Sequence, residues 1–580
     1  MDHRARPTGP NRGSRPWTLD RRAFLAGSAA TGALLIAGCS GADEPGGDTP
    51  AVDGSTGAAL EPAERISLRL PGAAFGFPSP FAYQAGLGYY QMSLVYDTLL
   101  WKDESGELLP WLAESFDAAP DGSSFEFTLR DGVTWHDGRP VTVDDVVFTF
   151  EYYQSLTLPF LVIAQPAFVA DVTATGASTV EITLDQPAVT FPDVVAGALP
   201  IVPRHVWEDV DDPAAAQDVS LLIGSGPYVV DSYSAADGAL AYAANDEFFL
   251  GAPFVERIEL VPTGDELTAL LAGEVVATGP TLVSVRPEAL APFTSDDAYG
   301  IAEQPAGFTY PLYWNLGRGG ALADVRVRQA CAHAIDRADV AQRLLGDNGV
   351  PGNPGFIPLD NPFHVAVEQY DFDADRAGQL LDEAGYMLSS GEEVRQDGDG
   401  NALRFELLFP NDQTPLAELV VNGLTAVGID VATRPVELGP ALFGAKLGGD
   451  FDLALTLYPG PGGVPPSGDP DYLRQIFSSS APPGTATATG YANPELDDLA
   501  DRQLVTQDID ARKEIIGRMQ EIIAEDIPVL PLYYAGLRQV YRRDILDQWY
   551  FTPGGFPVST YNKQLFVTGL KTGTEVRPTR

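Results

Sequence analysis

Asp121-Gly122-Ser123-Ser124-Phe125-Glu126-Phe127-Thr128-Leu129-Arg130-Asp131-Gly132-Val133-Thr134-Trp135-His136-Asp137-Gly138 alternates apolar and polar residues between Asp-Gly turns. Alternation with a period of two marks a strand with one buried face. The spacing predicts a hairpin-like strand pair over Ser124–Trp135, closed by the turn His136-Asp137-Gly138. His136 reads as a turn residue that bonds locally, not as a ligand. Just beyond, Thr142 precedes Val143-Asp144-Asp145, the hydroxyl-then-acid spacing of a capped helix start. The apolar run Val146-Val147-Phe148 carries that helix to about Gln154.

The same strand-then-helix alternation continues outward in both directions, which places the chain in the α/β class. Further strands are expected at Arg65–Leu70, Val180–Leu184, Arg257–Val261, Phe405–Phe409, Phe451–Leu457 and Val529–Tyr534. Thr414-Pro415 and Asn493-Pro494 each put a capping residue before a first-turn proline. Helices are expected from Thr414 to Gly428, from Asp373 to Gly385, and from about Asp510 to just before Pro528. In Asp324–Arg337 the residues Val327, Ala330, Cys331 and Ala334 fall on one helical face, so Cys331 reads as a small core residue.

The first 38 residues are not fold material. Six arginines stand there against two aspartates, followed by small apolar residues from Ala23 to Ala37. That run is shorter than the ~20 apolar residues that span a bilayer, and its basic flank is that of an export signal. Asp20-Arg21-Arg22-Ala23-Phe24-Leu25 resembles a twin-arginine signal, and Ile36-Ala37-Gly38-Cys39 resembles a lipobox, which makes Cys39 the expected site of lipidation. Residues 39–62 contain no aromatic and read as a flexible tether, with a typical reach of roughly 25 Å. The expected location is therefore the outer face of the cell membrane. With Cys39 lipidated, only Cys331 remains and no internal disulfide can form. A mature chain of about 540 residues is too large for one core, so two lobes are expected.

The formal charge is −44, with only five lysines, Lys102, Lys446, Lys513, Lys563 and Lys571. Such a surface excludes nucleic acid and electrostatic docking on anionic lipid. It reads as adaptation of the whole surface to a salty or otherwise stressful medium. The histidines of the mature chain, His136, His205, His333 and His364, do not pair at a metal-ligand spacing, so neither metal nor cofactor is expected. Asp397-Gly398-Asp399-Gly400-Asn401 begins like a calcium loop but lacks the later Gly and Glu, and is read as a turn. No G-x-S-x-G motif occurs, and acidic neighbours such as Asp144/Asp145 point to different helix faces, so the chain is not read as an enzyme.

Several blocks together resemble one family. Gly106–Phe116 is similar to the "L-x-P-x-L-A-E-S-W" stretch of the extracellular solute-binding proteins of the oligopeptide/dipeptide/nickel type. Asp121–Gly138 resembles that family's "D-G-x-x-Y-x-F-x-L-R-x-G-V-x-F-H-D-G", and Gly224-Ser225-Gly226-Pro227-Tyr228 its "G-T-G-P-Y/F". Asp324–Arg337, Ala374–Tyr386 and Gly490–Asp497 match later blocks in the family's order. The resemblance implies a two-lobe periplasmic-binding-protein-like fold, with a ligand cleft between lobes that closes about a hinge. It places lobe I at residues 63–305, with a subdomain at about 109–215, completed by 535–580. Lobe II takes 306–534, with the chain crossing near Phe308–Leu316 and Leu530–Ala535. It implies a monomer that hands a small solute, peptide-like or an oligosaccharide, to ABC permease subunits. The alternatives are a sensory or surface solute receptor on the same fold, or an exported hydrolase.

The cleft needs aromatic walls and a few orienting polar groups. Tyr83, with Tyr89 and Tyr90, falls in a stretch resembling the family's first ligand-touching loop. Tyr310, Tyr313, Trp314 and Asn315 fall at the expected crossing. Tyr458 stands where peptide-binding relatives carry a Trp. Those relatives place an Asp three residues later to bind the peptide ammonium; here that position is Pro461. Either Asp469 folds back to replace it, or the ligand has no free amine.

Overall fold

The computed structural model describes residues 64–70, 76–83, 85–103, 106–156, 168–279, 287–346, 349–359, 361–437, 440–456, 458–459, 469–479, 490–547, 549–552 and 562–567. The expected signal, Cys39, the tether and Pro461 lie outside the described residues, as does the side chain of Tyr458.

Lobe I is built on two sheets. In the first, Ile66–Leu70 pairs in parallel with Arg257–Pro262, and Leu240–Ala244 and Tyr228–Tyr233 follow antiparallel. The second is antiparallel, in the order Ala113–Ala118, Ser124–Leu129, Thr179–Leu184, Val169–Ala174. Alternation works there as expected: Phe125, Phe127 and Leu129 turn inward alongside Val180, Ile182 and Leu184. The partner of Ser124–Leu129, however, is not Val133–Trp135. It pairs with strands on either side, and the 133–140 segment makes only the single bridge Thr134↔Pro140. An inward-facing strand gains more from two neighbours than from a hairpin, which is marginal in water. The helix Val143–Ser155 covers this sheet. The Asp145 carboxylate accepts hydrogen bonds from the Thr142 N–H and hydroxyl at 2.9 Å each, and from the Arg204 N–H at 3.0 Å.

Lobe II carries a mixed sheet in the order Gly349–Pro351, Val529–Arg542, Tyr299–Trp314, Leu453–Leu455, Arg404–Pro410, Asp430–Val436. The last three strands run parallel to one another. Helices Val325–Ala334, Arg337–Leu345 and Thr414–Ala426 cover one face, and Tyr472–Phe477, Pro494–Val505 and Ile509–Asp526 the other. Two sequence expectations shift here. Asp324–Arg337 is not one helix but two. The chain turns extended at Ile335, and Asp336 caps the second helix by accepting from the Asp339 N–H at 2.9 Å. Thr414 is the first helical residue, not its cap. Cys331 is fully buried in the core, and burial pushes its thiol up to about 12.

Two long antiparallel strands, Tyr299–Trp314 and Val529–Arg542, join the lobes. Their outer halves are knitted to the lobe I sheet through Ala277, which bridges both Leu68 and Tyr541. The ladder slips twice. Pro305-Ala306-Gly307 stand opposite the single residue Gly536, and the register shifts again between Tyr310 and Pro311. Proline offers no N–H to a ladder, so breaks at Pro305 and Pro311 follow from the sequence.

Candidate functional site

Strand direction fixes where lobe II faces lobe I. Tyr299–Trp314 enters lobe II at Phe308 and runs antiparallel to Leu453–Leu455. The carboxyl ends of the three parallel strands therefore point back toward lobe I. In open α/β sheets that edge is where ligands bind. Phe308 and Thr309 lie on this edge, paired through their backbones with Pro459 and Tyr458. Beside them Tyr310 stacks on Tyr533, with ring centroids 4.5 Å apart and planes 10° apart. Burial, reinforced by the Asp412 charge, pushes the Tyr310 hydroxyl up to about 12. Asp412 directly follows the strand Arg404–Pro410 at the same edge.

The crossing does not bring all the expected residues together. Trp314 pairs with Leu453, at the amino end of its strand and thus the far edge of the lobe II sheet. Its ring is fully buried in the core. Asn315 donates to the carbonyls of Gly449 at 2.9 Å and Phe451 at 2.8 Å, closing that far edge. The crossing strand is long enough that residues a few positions apart reach opposite edges, which sets Trp314 and Asn315 at the edge away from lobe I. Tyr83 is buried in lobe I, edge-on to Tyr89 at 6.2 Å, and the Tyr89 hydroxyl donates to the Ala198 carbonyl at 2.8 Å. Tyr83, Tyr89 and Tyr90 form part of the lobe I core.

Asp469 does not offer a free carboxylate. Both its oxygens accept from the Arg512 guanidinium at 2.6 Å. Asp471 is buried and pairs with Arg474 at 2.7 Å, and Gln503 links the two pairs by donating to Asp471 at 2.5 Å and accepting from Arg512. Burial alone would raise Asp471; the Arg474 bonds and charge override it and hold the carboxyl below its usual range. Burial would likewise lower Arg512, but the bonds to Asp469, the nearby Asp471 and, across from lobe I, Asp193 hold it above its ordinary value. Asp193 in turn pairs with the buried Lys102 at 2.7 Å. The one-turn spacing between Asp471 and Arg474 is a signal that could have found Arg474; Arg512 lies too far along the chain for any such signal.

His136 does more than turn the chain. Its Nε2 lies 3.0 Å from the Gly226 carbonyl, and its Nδ1 lies 3.2 Å from the Gly224 nitrogen. These partners require Nε2 to carry the proton and Nδ1 to accept, so the ring is neutral. Burial, the largest effect, holds its pKa below the ordinary value. A Cβ on Gly224 would stand 1.9 Å from the Val95 carbonyl oxygen, which explains glycine there. Among the described residues no group of three or more His, Cys, Asp or Glu could hold a metal ion. Asp397–Asn401 is a turn closed on itself, with the Asp397 carboxylate accepting from the N–H groups of Asp399 and Asn401. No helix among the described residues is long and apolar enough to cross a membrane.

Comparison with known proteins places this architecture. Protein XP55 of Streptomyces lividans is 27% identical over 508 residues, covering 86% of this chain and 88% of that protein. The dipeptide-binding protein of Escherichia coli (strain K12) is 23% identical over 514 residues, covering 84% and 93%. The solved structure of NikA from Brucella suis in complex with Fe(III)-EDTA superposes with a TM-score of 0.72 at 21% identity, over 85% of this chain and 98% of that one. That of the oligopeptide-binding protein AppA from Bacillus subtilis, in complex with a nonapeptide, gives 0.68 at 21%, over 87% and 98%. Residues 107–484 match the middle region of one family directly. With most of the chain inside that match and the fold shared along nearly its whole length, the protein belongs to the bacterial extracellular solute-binding proteins, family 5.

Proposed function

We propose that the protein is the substrate-binding component of an ABC importer, held to the outer face of the cell membrane through lipidated Cys39. It takes its solute into the cleft between the lobes, against Phe308–Tyr310 and Tyr458–Pro459. Family membership and the relatives support the importer role, since one relative is a dipeptide-binding protein and another, in Brucella ovis, a putative ABC transporter peptide-binding protein. The bipartite Arg-rich start and Ile36-Ala37-Gly38-Cys39 support the anchor. Cys39→Ala is expected to release the protein or leave an unprocessed precursor; normal processing with unchanged attachment counts against it.

The observation that bears on the ligand is the Asp469–Arg512 pair. A carboxylate already neutralised by a bidentate guanidinium gains little from a ligand ammonium, and a buried ammonium without a counter-charge is costly. The solute is therefore peptide-like without a free amine at this end, a blocked or internal segment, with Tyr458 as its main contact. Native mass spectrometry identifies any co-purified solute, an oligosaccharide included. Calorimetry then compares N-acetylated tetrapeptides with their free-amine counterparts. The acetylated forms should bind at least as tightly, with little salt dependence, and Tyr458→Ala should weaken binding by roughly 1–3 kcal/mol. A marked preference for the free amine, falling steeply with salt, overturns this reading.

A further inference from the structure

Outside the crossing strands the lobes touch a second time. The Val189 N–H of lobe I donates to the Leu504 carbonyl of lobe II at 2.8 Å. A Cβ on Gly122 would stand 3.0 Å from the Gln507 amide nitrogen. The Arg474 guanidinium lies 5.7 Å from the centre of the Phe168 ring. Three lobe I segments thus meet the last turn of the lobe II helix Pro494–Val505, the short connector that follows it at Gln507, and the helix Tyr472–Phe477.

This contact differs in kind from the crossing strands. One continuous hydrophobic cluster passes through the crossing, from Ala302 through Phe308 and Leu312, and along Leu530 to Tyr541. Beneath the second contact the two cores are separate. Phe191 and Val194 belong to the lobe I cluster, whereas Leu496, Leu499 and Ile515 belong to the cluster on the far face of lobe II. Leu504 is in neither. Among the described residues, what joins the lobes here belongs to no shared hydrophobic cluster, so it can part without opening a core. The crossing, with its slip at Pro305–Gly307, can bend but not separate. Phe168 adds a second sign. Its φ of 72° is a left-handed conformation that a bulky residue rarely holds, and it sets the ring against Arg474. Such strain persists only where surrounding contacts impose it.

We infer that Gly122, Phe168 and Val189 with Arg474, Leu504 and Gln507 form a latch that makes and breaks as the lobes close and open, and that its strength sets the closed fraction of the protein. The inference rests on the cleft-binding reading only for its purpose; its test needs no solute. The partners are set up beforehand. Arg474 is held by Asp471, and the Asp185 N–H grips the Phe168 carbonyl at 2.6 Å. Closure therefore aligns groups that are already in place. Among the described residues the latch consists of one backbone hydrogen bond, the Gln507 and Phe168 side-chain contacts and the pull of Asp193 on Arg512; contacts so few leave the open form accessible, and the latch tunes apparent affinity rather than trapping a solute.

The test is small-angle scattering of the free full-length protein beside three variants. Gln507→Ala removes the amide at Gly122, Phe168→Gly removes the ring and the strain together, and Val189→Pro removes the N–H donor. The ratio of closed to open molecules should fall about three- to tenfold in each, read as a larger radius of gyration. The thermal midpoint of Gln507→Ala, an exposed side chain, should stay at the wild-type value, which separates opening from misfolding even if Phe168→Gly, whose ring packs on the lobe I core, or Val189→Pro is destabilised. Wild-type scattering profiles in both Gln507→Ala and Phe168→Gly overturn the latch. That result would leave the binding reading standing, because solute capture is measured separately.

Discussion

Lys446 is a charged group buried in lobe II, with its ammonium 3.6 Å from the centre of the Tyr313 ring. Burial pushes its pKa down from 10.5 to about 7. The sign of the consequence follows from proton counting. Between pH 7 and 10.5 the unfolded chain keeps a proton on this lysine that the folded protein has released, so stability rises with pH across that window. Below pH 7 the group is charged in both states, and the cost of burying it is fully expressed. Lys446→Met keeps the length of the side chain and removes the charge. Its melting temperature should exceed that of the wild type at pH 7, with the difference closing toward pH 10.5. Calorimetry across that range decides it, and parallel curves for the two proteins would refute it.

At the scale of elements, the short segment Asn562–Val567 shows how a distant piece of chain completes lobe I. Lys563 and Asp97 are both fully buried and meet at 2.5 Å. Asp97 also accepts from the Trp111 indole at 2.7 Å and the Ser225 hydroxyl at 2.8 Å, while the lysine ammonium lies 4.1 Å from the Trp101 ring centre. Asn562 accepts from the Trp101 indole and donates to the Lys102 carbonyl, each at 2.9 Å. Every polar group of the pair is satisfied, which is what allows the charges to be buried at all. Asp97→Ala strands the ammonium, and should cost about 3–5 kcal/mol in urea unfolding at unchanged m-value. Adding Lys563→Met should recover part of that loss. A double variant no more stable than the single one would mean that the ion pair is not the source of the cost.

At the scale of the molecule, a continuous core through the crossing strands and a second contact outside any shared core make the crossing the natural hinge. Among the described residues the lobes share the crossing strands and a few further contacts, and domains joined in this way are expected to move relative to one another. Saturation with the co-purified solute should therefore shrink the radius of gyration beyond that of the stripped protein. Identical scattering profiles with and without it would rule out closure. Bending should concentrate at Pro305–Gly307 opposite Gly536, where the ladder is already broken, and hydrogen exchange should be faster there than along Phe308–Leu312.

Local order was legible because its causes are local. The alternation Phe125-Glu126-Phe127-Thr128-Leu129 names the inward face of a strand whatever its partners. Thr142 with Asp145, and Asn493 before Pro494, announce helix starts through bonds that span only a few residues. The order of the blocks pointed to a two-lobe binding protein, and family membership and fold agree with that. Which strands flank Ser124–Leu129, and which edge of the sheet Trp314 and Asn315 occupy, depends on topology, which no window of residues contains. The long-range polar partners were hidden for the same reason. Arg512 neutralises Asp469 from 43 residues away, the neutral His136 ring reaches the Gly226 carbonyl across 90, and Lys563 pairs with Asp97 across 466. A side chain's propensity is written in its own neighbourhood, but its burial and its counter-charge are settled only when distant segments are brought together by the fold.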